Sequence, residues 1–422
     1  MTTGTLDPTA AAGHHPSITP RLAVPGTARG PLALAEERAL GTYTPPQVPD
    51  VVAALAEADL RGRGGGAFPA HVKWAAVAAG TGPRVVVANG EEGEPASAKD
   101  RWLLTHRPHL VLDGLLLAAR TVGAERTVVY LSHPGTVQAI EQALDELRDA
   151  GGLPGDVRID VHVVAHSYVA GEETAACRAI DGGPALPVAK PPRPFESGVG
   201  GAPTLVSNVE TLAHAAWISR NGAAAYREVG TAASPGTTLV TLSGACARPG
   251  VYEVPFGLSV LDLFTSVGGG LTSEPSGYVM GGWFGGVLAP QRAAVGCCYD
   301  AVRMIGSGLG CAAITALGAT EDPVVIAADI AAWYARETAA QCGVCVRGTA
   351  SIRDALGRLR DGTSAGTEPD DLARWGAGLS RRGACAFLDG AATLARTVVA
   401  EFPVRVADRA RSAHHHTPGD PS

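Results

Sequence analysis

The sequence has 422 residues, a formal net charge of −7, and 46% hydrophobic but only 5% aromatic residues. A chain of this length is long enough for two to four domains with a hydrophobic core, and its abundant glycine and alanine favour an α/β protein over a β-sandwich. The negative charge argues against a nucleic-acid partner, and no apolar run is long enough to span a bilayer.

The N-terminal segment, residues 1–46, is rich in proline, glycine, alanine and threonine, which predicts a loosely ordered arm. It has neither a basic start nor a continuous apolar run, so we expect no signal peptide and a cytoplasmic protein. In that compartment the eight cysteines are expected to be reactive or metal-binding thiols and not disulfides.

Strands and helices are predicted to alternate between residues 47 and 236. The segments RVVVAN, RTVVYLS and VRIDVHVVAH have strand patterns, and two helical segments, RPHLVLDGLLLAARTVG and PGTVQAIEQALDELRDAG, separate them. This alternation predicts a Rossmann-like domain built on a doubly wound parallel sheet. Ligands of such sheets bind at the carboxyl ends of the strands, where Asn89 and the segment HSYVAGEE are expected to lie.

Short strands and then long helices follow this domain. Residues 237–321 carry short strand patterns around one helix, which predicts a β-grasp-like module. Residues 322–405 carry four helical patterns, and four helices of that length form a bundle. The tail, residues 406–422, is expected to be disordered.

The segment LRGRGGGAFPAHVKW, residues 60–74, places four glycines within five positions beside Arg61, Arg63 and Lys73. A flexible turn is one interpretation. The cationic neighbours and the helix predicted after the loop favour a second one, an anion-binding loop, because glycine lets the backbone approach a phosphate closely. The spacing differs from the usual dinucleotide fingerprint, so the loop alone names no cofactor.

Clusters of acidic residues follow the predicted strands. They are Glu91, Glu92, Glu94 and Asp100 in NGEEGEPASAKDR, and Glu172 and Glu173 in YVAGEETAA. Solvated turns and helix caps are the ordinary interpretations. At the end of a strand, such carboxylates also suit the hydroxyl groups of a ribose or ribityl chain, or a bound cation. A further segment, PTLVSNVETL, is predicted to be a turn entering a helix, with Asn208 as a polar contact.

Three cysteines in the helical region have a metal-binding pattern: Cys342 and Cys345 in QCGVCVRG, and Cys385 in RRGACAFLDG. One C-x-x-C with a distant third cysteine suits zinc, an iron–sulfur cluster or a redox pair. The other five cysteines lie in apolar or glycine-rich surroundings and are expected to be small core residues. They are Cys177, Cys246, Cys297, Cys298 and Cys311.

Taken in order, the glycine loop, the two acidic segments, KPPRPFESGVGGAPTLVSNVETL and the cysteine segments resemble one family. It is the flavin-bearing, NADH-oxidising subunit of respiratory complex I, shared with NAD-linked hydrogenases and formate dehydrogenases. The resemblance implies an α/β Rossmann-like FMN-binding domain, a β-grasp module of the SLBB type and a helical bundle with an iron–sulfur site. It also implies FMN, NAD(H) and an iron–sulfur cluster as cofactors, with the flavin performing the chemistry.

The resemblance further implies roles for single residues. Hydride transfer is expected beside Glu94 and Glu173, and NADH contacts are expected at Phe68, Glu94 and Lys190. The residues expected to face FMN are Gly62, Arg63, Gly64, Lys73, Asn89, Glu91, Glu92, Tyr168, Gly171, Glu172, Glu173 and Asn208. The cluster ligands are expected to be Cys342, Cys345 and Cys385.

Several positions depart from the family pattern. Glu91 replaces an aspartate and Ser207 an asparagine, and both keep hydrogen-bonding groups, so FMN binding is expected to survive. Ala76 and Arg193 stand where two adenine-stacking rings usually lie, and stacking a base on one ring contributes about 1–3 kcal/mol. NADH binding is therefore expected to be weaker unless the guanidinium of Arg193 stacks instead.

Ala339 stands where the first cluster cysteine belongs, so only three thiolates remain for the cluster. The expected forms are a [4Fe–4S] cluster with one iron held by water, by Glu337, by Thr338 or by a partner, a [3Fe–4S] form, or no stable cluster.

Three functions are consistent with these residues. The first is an NADH-oxidising flavoprotein subunit that passes electrons to a ferredoxin-like or thioredoxin-like [2Fe–2S] partner. That partner could belong to a larger respiratory or hydrogenase-type complex at the inner face of the cell membrane. The second keeps FMN but takes electrons from reduced ferredoxin in place of NADH. The third is a cluster-defective scaffold, against which the retained flavin motifs speak.

Overall fold

The computed structural model describes residues 11–152 and 157–412. The α-helices in these ranges are α1 Leu34–Ala39, α2 Val51–Glu57, α3 Ala70–Ala79, α4 Lys99–His106, α5 Pro108–Val122, α6 Pro134–Asp149, α7 Glu173–Ile180, α8 Val209–Arg227, α9 Val260–Ser266, α10 Tyr299–Met304, α11 Pro323–Glu337, α12 Gly343–Asp361, α13 Glu368–Gly378, α14 Phe387–Glu401 and α15 Pro403–Ser412. The strands are β1 Ala11–His14, β2 Val85–Asn89, β3 Arg126–Leu131, β4 Arg158–Val163, β5 Thr204–Asn208, β6 Thr237–Gly244, β7 Gly250–Pro255, β8 Gly277–Val279, β9 Val287–Leu288 and β10 Ala313–Leu317. None of the helices in these two ranges is long and apolar enough to cross a membrane.

The first sheet has the order β4-β3-β2-β5, and all neighbouring strands are parallel, as the sequence predicted. Helices α5 and α8 pack against each other and against this sheet. The register places Asn89, the last residue of β2, beside Asn208, the last residue of β5. The carboxyl ends of two strands distant in sequence therefore meet.

Strand β5 corrects the prediction of a turn in PTLVSNVETL. Leu205 and Val206 are buried in different core clusters, so the segment alternates between the two faces of the sheet. The segment is short and follows a proline-rich connector, and these two features favoured the prediction of a turn. Only the pairing with β2 makes it a strand.

The helix boundaries in this domain follow the sequence signals. Helix α5 begins with Pro108, and Gly123 follows it in the left-handed region with a φ of 69°. Helix α6 begins with Pro134, and the side chain of His133 accepts a hydrogen bond from the Gly135 N–H. Proline at the start and glycine at the end thus fixed the lengths of these helices.

The second sheet has the order β1-β7-β6-β10-β8-β9. Strands β1 and β7 pair in parallel, as do β6 and β10, and the remaining neighbours are antiparallel. Apolar side chains of the sheet, such as Val240 and Tyr278, form a core with Leu263 and Phe264 of α9. Apart from β1, the strands of this mixed sheet lie within residues 237–321, and the β-grasp-like topology of that region stays a prediction.

The described part of the N-terminal segment is packed, which corrects the expectation of a loose arm. Strand β1 lies on the edge of the second sheet, and Leu22 is fully buried. The buried carboxylate of Glu253 accepts hydrogen bonds from three successive backbone N–H groups, those of Arg21, Leu22 and Ala23. The glutamate lies more than two hundred residues away, so the local sequence could not reveal it. Residues 1–10 lie outside the described ranges.

The C-terminal region contains the four predicted helices, α11 to α14, and a fifth, α15. Helix α15 packs against α12, α13 and α14, so ordered structure continues to residue 412, past the predicted boundary at residue 405. Val406 and Ala410 anchor it in the core of the bundle. The remainder of the expected tail, residues 413–422, lies outside the described ranges.

Candidate functional site

A cavity of about 520 Å³ opens where the carboxyl ends of β2 and β5 meet. Its walls come from the Rossmann-like domain, from the module of the second sheet and from the cysteine region. It is lined by all the residues predicted to contact FMN or NAD(H) except Arg63: Gly62, Gly64, Phe68, Lys73, Asn89, Glu91, Glu92, Glu94, Tyr168, Gly171, Glu172, Glu173, Lys190 and Asn208. The volume lies in the range of small-molecule sites.

The glycine loop between α2 and α3 forms one wall. The Gly62 N–H donates to the Phe68 carbonyl at 2.8 Å, which closes the loop. Gly65 has a φ of 98°, a conformation that side chains disfavour, and a Cβ at Gly64 would lie 3.4 Å from the Cβ of Asn208. The loop therefore presents bare backbone to the cavity, as the anion-binding interpretation requires.

The side chain of Arg63 does not line the cavity, so the cavity gives no support to its predicted contact with FMN, which stays a prediction. It is buried elsewhere, where Nη2 donates to the Tyr226 hydroxyl at 2.8 Å and to the Thr237 carbonyl at 3.2 Å. Its Nε lies 3.7 Å from Oε1 of Glu210, and its guanidinium lies over the ring of Phe256. These partners are distant in sequence, so the motif could not show which arginine of the loop turns inward.

Two of the predicted polar residues support the backbone around the cavity. The amide of Asn89 donates to the Gly171 carbonyl at 2.8 Å and so fixes the segment before α7. Glu92 accepts hydrogen bonds from the N–H groups of Asp100 at 3.1 Å and Arg101 at 3.0 Å. Its carboxylate therefore caps the first turn of α4, which leaves it less free to bind a ligand.

Two lysines and two glutamates form an ion-pair network on the cavity wall. Lys73 Nζ lies 2.6 Å from Glu173 Oε2, and Lys190 Nζ lies 2.8 Å from Glu172 Oε1 and 3.2 Å from Glu173 Oε1. Burial by itself would raise the pKa of Glu173, but Lys73 and Lys190 hold this pKa below its usual value. Glu173 is therefore anionic at neutral pH, and the network joins α3, α7 and the proline-rich connector.

The surroundings of Glu94 favour the neutral form of its carboxyl group, unlike those of Glu173. It is buried, and Oε1 accepts a hydrogen bond from the Trp283 N–H at 3.0 Å. Burial raises the pKa of Glu94 to about 8, against the lowering effect of hydrogen bonds from the backbone of Trp283 and Ala96. Its carboxyl group is therefore mostly protonated at neutral pH and can donate a hydrogen bond. A Cβ at Gly282 would lie 2.2 Å from Cδ of Glu94, so only glycine fits there.

A buried charge cluster adjoins the cavity, and the sequence had singled out only Asp100 of its members. Lys99 Nζ lies 2.6 Å from Asp100 Oδ1 and 2.9 Å from Glu210 Oε2. Asn208 donates to the other carboxylate oxygen of Asp100 at 2.7 Å and caps α8 with its own carbonyl oxygen. Burial raises the pKa of Asp100 to about 7, although Lys99 lowers it. The sequence shows charged residues after a strand, but it does not show that these residues are buried.

The second module also contributes to the cavity, which the sequence did not predict. Gly281 and Phe284 line it, and the ring of Phe284 stacks on that of Tyr168, with centroids 4.3 Å apart and planes 11° apart. Cys311 lines it too, although it was expected to be a core residue. The glycine-rich runs GGWFGG and GLGC were the only sequence signal for this wall.

On the expected dinucleotide side, Phe68 is 36% exposed, and Lys73 Nζ lies 5.8 Å from the centre of its ring. Arg193 is exposed and lines the cavity, whereas Ala76 does not. Of the positions that the resemblance assigns to adenine stacking, Phe68 keeps an aromatic ring and Arg193 offers a guanidinium plane.

The three predicted metal-binding cysteines come together where α12 begins and the segment before α14 passes it. Cys342 Sγ accepts a hydrogen bond from the Ala384 N–H at 3.4 Å, and the Thr338 hydroxyl lies 3.3 Å from Cys345 Sγ. Cys385 also lines the cavity. In the part of the chain that the structure describes, no group of three or more His, Cys, Asp or Glu side chains could hold a single metal ion.

Comparisons with known proteins define the class. The family described as the Nuo51 FMN-binding domain matches residues 55–217, and the NADH-ubiquinone oxidoreductase-F iron-sulfur binding region matches residues 325–409. The protein is thus an FMN-binding domain joined to an iron–sulfur-binding region.

Individual relatives agree with this class. The chain is 32% identical to the second F-type NADH-quinone oxidoreductase subunit of Rhizobium meliloti (strain 1021), over 88% of this chain and 91% of that protein. It is 32% identical to the mitochondrial NADH dehydrogenase [ubiquinone] flavoprotein 1 of Dictyostelium discoideum, over 83% and 76%. An air-oxidised NAD+-reducing [NiFe]-hydrogenase structure matches with a TM-score of 0.78 and 30% identity, and the match covers 85% of this chain but 62% of the hydrogenase chain. The chain belongs to the family of F-type NADH-quinone oxidoreductase subunits.

The cavity residues fit FMN. The glycine loop offers backbone where a side chain would intrude, and Lys73 supplies a cation beside it. Glu91 is buried, with Oε1 2.9 Å from Nδ1 of His166 and Oε2 without a hydrogen-bond partner among the described residues. A buried, unpartnered carboxylate oxygen suits the hydroxyl group of a ribityl chain.

The cysteines fit a cluster only in part. Residues 325–409 contain Cys342, Cys345 and Cys385 and no histidine or further cysteine. A [4Fe–4S] cluster is usually held by four thiolates. Residues 325–409 therefore offer at most three thiolates, which does not fit a cluster ligated by four cysteines of this region.

Proposed function

We propose that this chain is the NADH-oxidising flavoprotein subunit of a multi-subunit complex. In this proposal FMN occupies the cavity, and electrons leave through the cysteine site toward a partner. The observation that carries the proposal is that one cavity gathers the glycine loop, the lysine–glutamate network and Cys385. In this proposal the flavin site and the cluster site share a wall at Cys385.

When bound, FMN would accept a hydride from NADH and pass on its electrons singly. The chain's own residues would bind and orient the two ligands. The bare backbone of the glycine loop and Lys73 would bind the FMN phosphate, and Glu91 would accept a hydrogen bond from the ribityl chain. Asn89 would act as a positioning residue through Gly171.

Glu94 and Glu173 would control the charge around the reacting rings. A neutral carboxyl group at Glu94 offers a hydrogen-bond donor and adds no negative charge that would repel the phosphates of NADH. Glu173 stays anionic and holds Lys73 and Lys190 at the cavity wall. Phe68 and Arg193 would together provide the surface for the adenine.

The proposed partner is a ferredoxin-like or thioredoxin-like [2Fe–2S] protein, because the chain's cysteine site needs a one-electron acceptor. The proposed location is the cytoplasm, with attachment to a membrane complex only through partners.

A second candidate keeps FMN but takes electrons from a reduced ferredoxin. The replacement of two stacking rings by Ala76 and Arg193 favours it, since NADH would lose part of its binding surface.

One experiment separates these functions. The protein is purified anaerobically, loaded with FMN and titrated with NADH while the flavin absorbance is recorded. Bleaching by NADH supports the proposal. A flavin that ignores NADH but is bleached by reduced ferredoxin supports the second candidate, and failure to bind FMN contradicts both. Phe68→Ala is the matched variant, since it is expected to weaken NADH binding and leave FMN binding intact.

A further inference from the structure

His166 contacts the cavity indirectly, through Glu91. It follows β4 at the carboxyl edge of the first sheet, and its Nδ1 lies 2.9 Å from Oε1 of Glu91. The Glu91 side chain is fully buried and lines the cavity, whereas the His166 side chain is 62% exposed and does not line it. The imidazole can therefore exchange protons with solvent while the carboxylate beside it faces the cavity.

The second carboxylate oxygen of Glu91, Oε2, is buried without a hydrogen-bond partner among the described residues. Leaving such an oxygen unpaired is costly unless a ligand or water satisfies it. The backbone of Glu91 is held on two sides. Its N–H donates to Oδ1 of Asn89 at 3.3 Å, and a Cβ at Gly171 would lie 3.3 Å from its carbonyl oxygen. With the backbone held, His166 occupies one carboxylate oxygen and leaves the other for a ligand in the cavity.

The other groups that face the imidazole of His166 come from three elements. Within the described ranges they are Arg101 on α4, Ser132 and His133 before α6, and Glu337 at the end of α11. Arg101 pairs with Glu92 at 3.3 Å, and Glu337 pairs with Arg336 at 3.2 Å. The contact with Glu91 raises the pKa of His166 above its ordinary 6.5, against the lowering effects of burial and of Arg101. Glu91 is thus the main electrostatic partner of His166.

We infer that His166 is a positioning residue for FMN, which holds Glu91 as a paired carboxylate whose free oxygen accepts a hydroxyl group of the ribityl chain. The inference rests on the proposed function, since it concerns the same flavin site. A protonated imidazole neutralises a buried carboxylate that would otherwise repel the FMN phosphate, so the protonated form binds FMN more tightly. Affinity is therefore highest below the pKa of His166 and falls as pH rises through it. Because this coupling is reciprocal, FMN binding in turn draws protons onto the imidazole.

The test is titration calorimetry of FMN into the full-length protein freed of flavin, from pH 6 to pH 9, in pairs of buffers that differ in ionisation enthalpy. The difference within each pair gives the protons taken up per FMN. The variant is His166→Gln, which keeps a hydrogen-bond donor and removes the titration. The matched control is His133→Gln, at the neighbouring exposed imidazole, whose pKa is lowered by burial. The phosphate of free FMN titrates equally in all experiments, so the comparison isolates the imidazole.

We expect the Kd of the unmodified protein and of His133→Gln to rise about three- to tenfold more between pH 6 and pH 9 than that of His166→Gln. Proton uptake near pH 7.5 should be lost in His166→Gln alone. In a Glu91→Gln background, adding His166→Gln should change neither quantity, because the imidazole acts through the carboxylate.

Equal pH profiles in all three proteins would overturn the role of His166 and leave the flavin site standing. An effect of His166→Gln that persists in the Glu91→Gln background would also overturn it, since the imidazole would then act on FMN without Glu91. Absence of FMN binding to the unmodified protein at every pH would overturn the proposed function together with the inference.

Discussion

Lys73 and Glu173 form an ion pair with 2.6 Å between Nζ and Oε2, although 100 residues separate them in the sequence. The pair connects α3, which follows the glycine loop, with α7, which follows the segment containing Tyr168 and Gly171. Two motifs that look independent in the sequence are thus parts of one wall. Lys190 contacts the same carboxylate, so Glu173 holds two cations at the cavity.

Replacing Lys73 tests this wall. Lys73→Met is expected to weaken FMN binding about 10- to 100-fold, because hydrogen bonds to charged groups contribute about 1.5–3 kcal/mol. The quenching of FMN fluorescence on binding gives Kd. Lys73→Arg is the control that keeps the charge and should lose less. Unchanged FMN affinity in Lys73→Met would show that Lys73 only supports Glu173.

The raised pKa of Glu94 predicts that the stability of the folded protein depends on pH. Its pKa in the folded protein is about 8, above the ordinary 4.5. Between these values the unfolded chain loses the proton while the folded chain keeps it, so stability falls as pH rises. Glu94→Gln should remove this loss. By pH 8 the variant should gain up to about 4 kcal/mol relative to the unmodified protein, since one pKa unit corresponds to about 1.4 kcal/mol.

Urea unfolding of FMN-free protein at pH 5.5 and 8.5 measures the effect of Glu94→Gln. Glu57→Gln, at an exposed glutamate, is the matched control and should show no such pH-dependent gain. If Glu94→Gln changes stability equally at both pH values, Glu94 is already ionised in the folded protein.

Arg63 is expected to act on stability and not directly on the flavin. Arg63→Met leaves Glu210 with one fewer buried cation, and breaking a buried pair typically destabilises by about 3–5 kcal/mol. Urea unfolding measures the loss, and Arg61→Met, at a partly exposed residue, should cost less than about 1 kcal/mol. A variant of unchanged stability that fails to bind FMN would restore the role implied by the sequence.

Ala339→Cys tests the ligand count of the cluster. Ala339 packs against the same core cluster as Cys345, so a thiol there is expected to supply a fourth ligand. Iron and acid-labile sulfide per chain should rise after anaerobic reconstitution, and any EPR signal of a [3Fe–4S] cluster should diminish. Ala335→Cys, on the last turns of α11, should leave both unchanged. Equal iron content in all three proteins would contradict the assignment of Ala339.

Much of the fold was predictable from local signals. Pro108 and Gly123 bounded α5, and the strands from RVVVAN to VRIDVHVVAH alternated with helices as a parallel sheet requires. These features depend on backbone conformation and side-chain period, which are properties of neighbouring residues. Strand β5 escaped prediction because its pairing partner, β2, lies far away in the sequence.

The features of the candidate site also fall into those that the local sequence predicts and those that depend on distant residues. The sequence by itself determined the glycine loop, the carboxylates after the strands and the number of cysteines, because these follow from residue type and spacing. Only the tertiary structure decided that Arg63 turns away, that Glu94 is buried against Trp283, and that Phe284 enters the cavity. Direction, burial and pKa depend on groups from distant segments, and no local pattern encodes which of them meet.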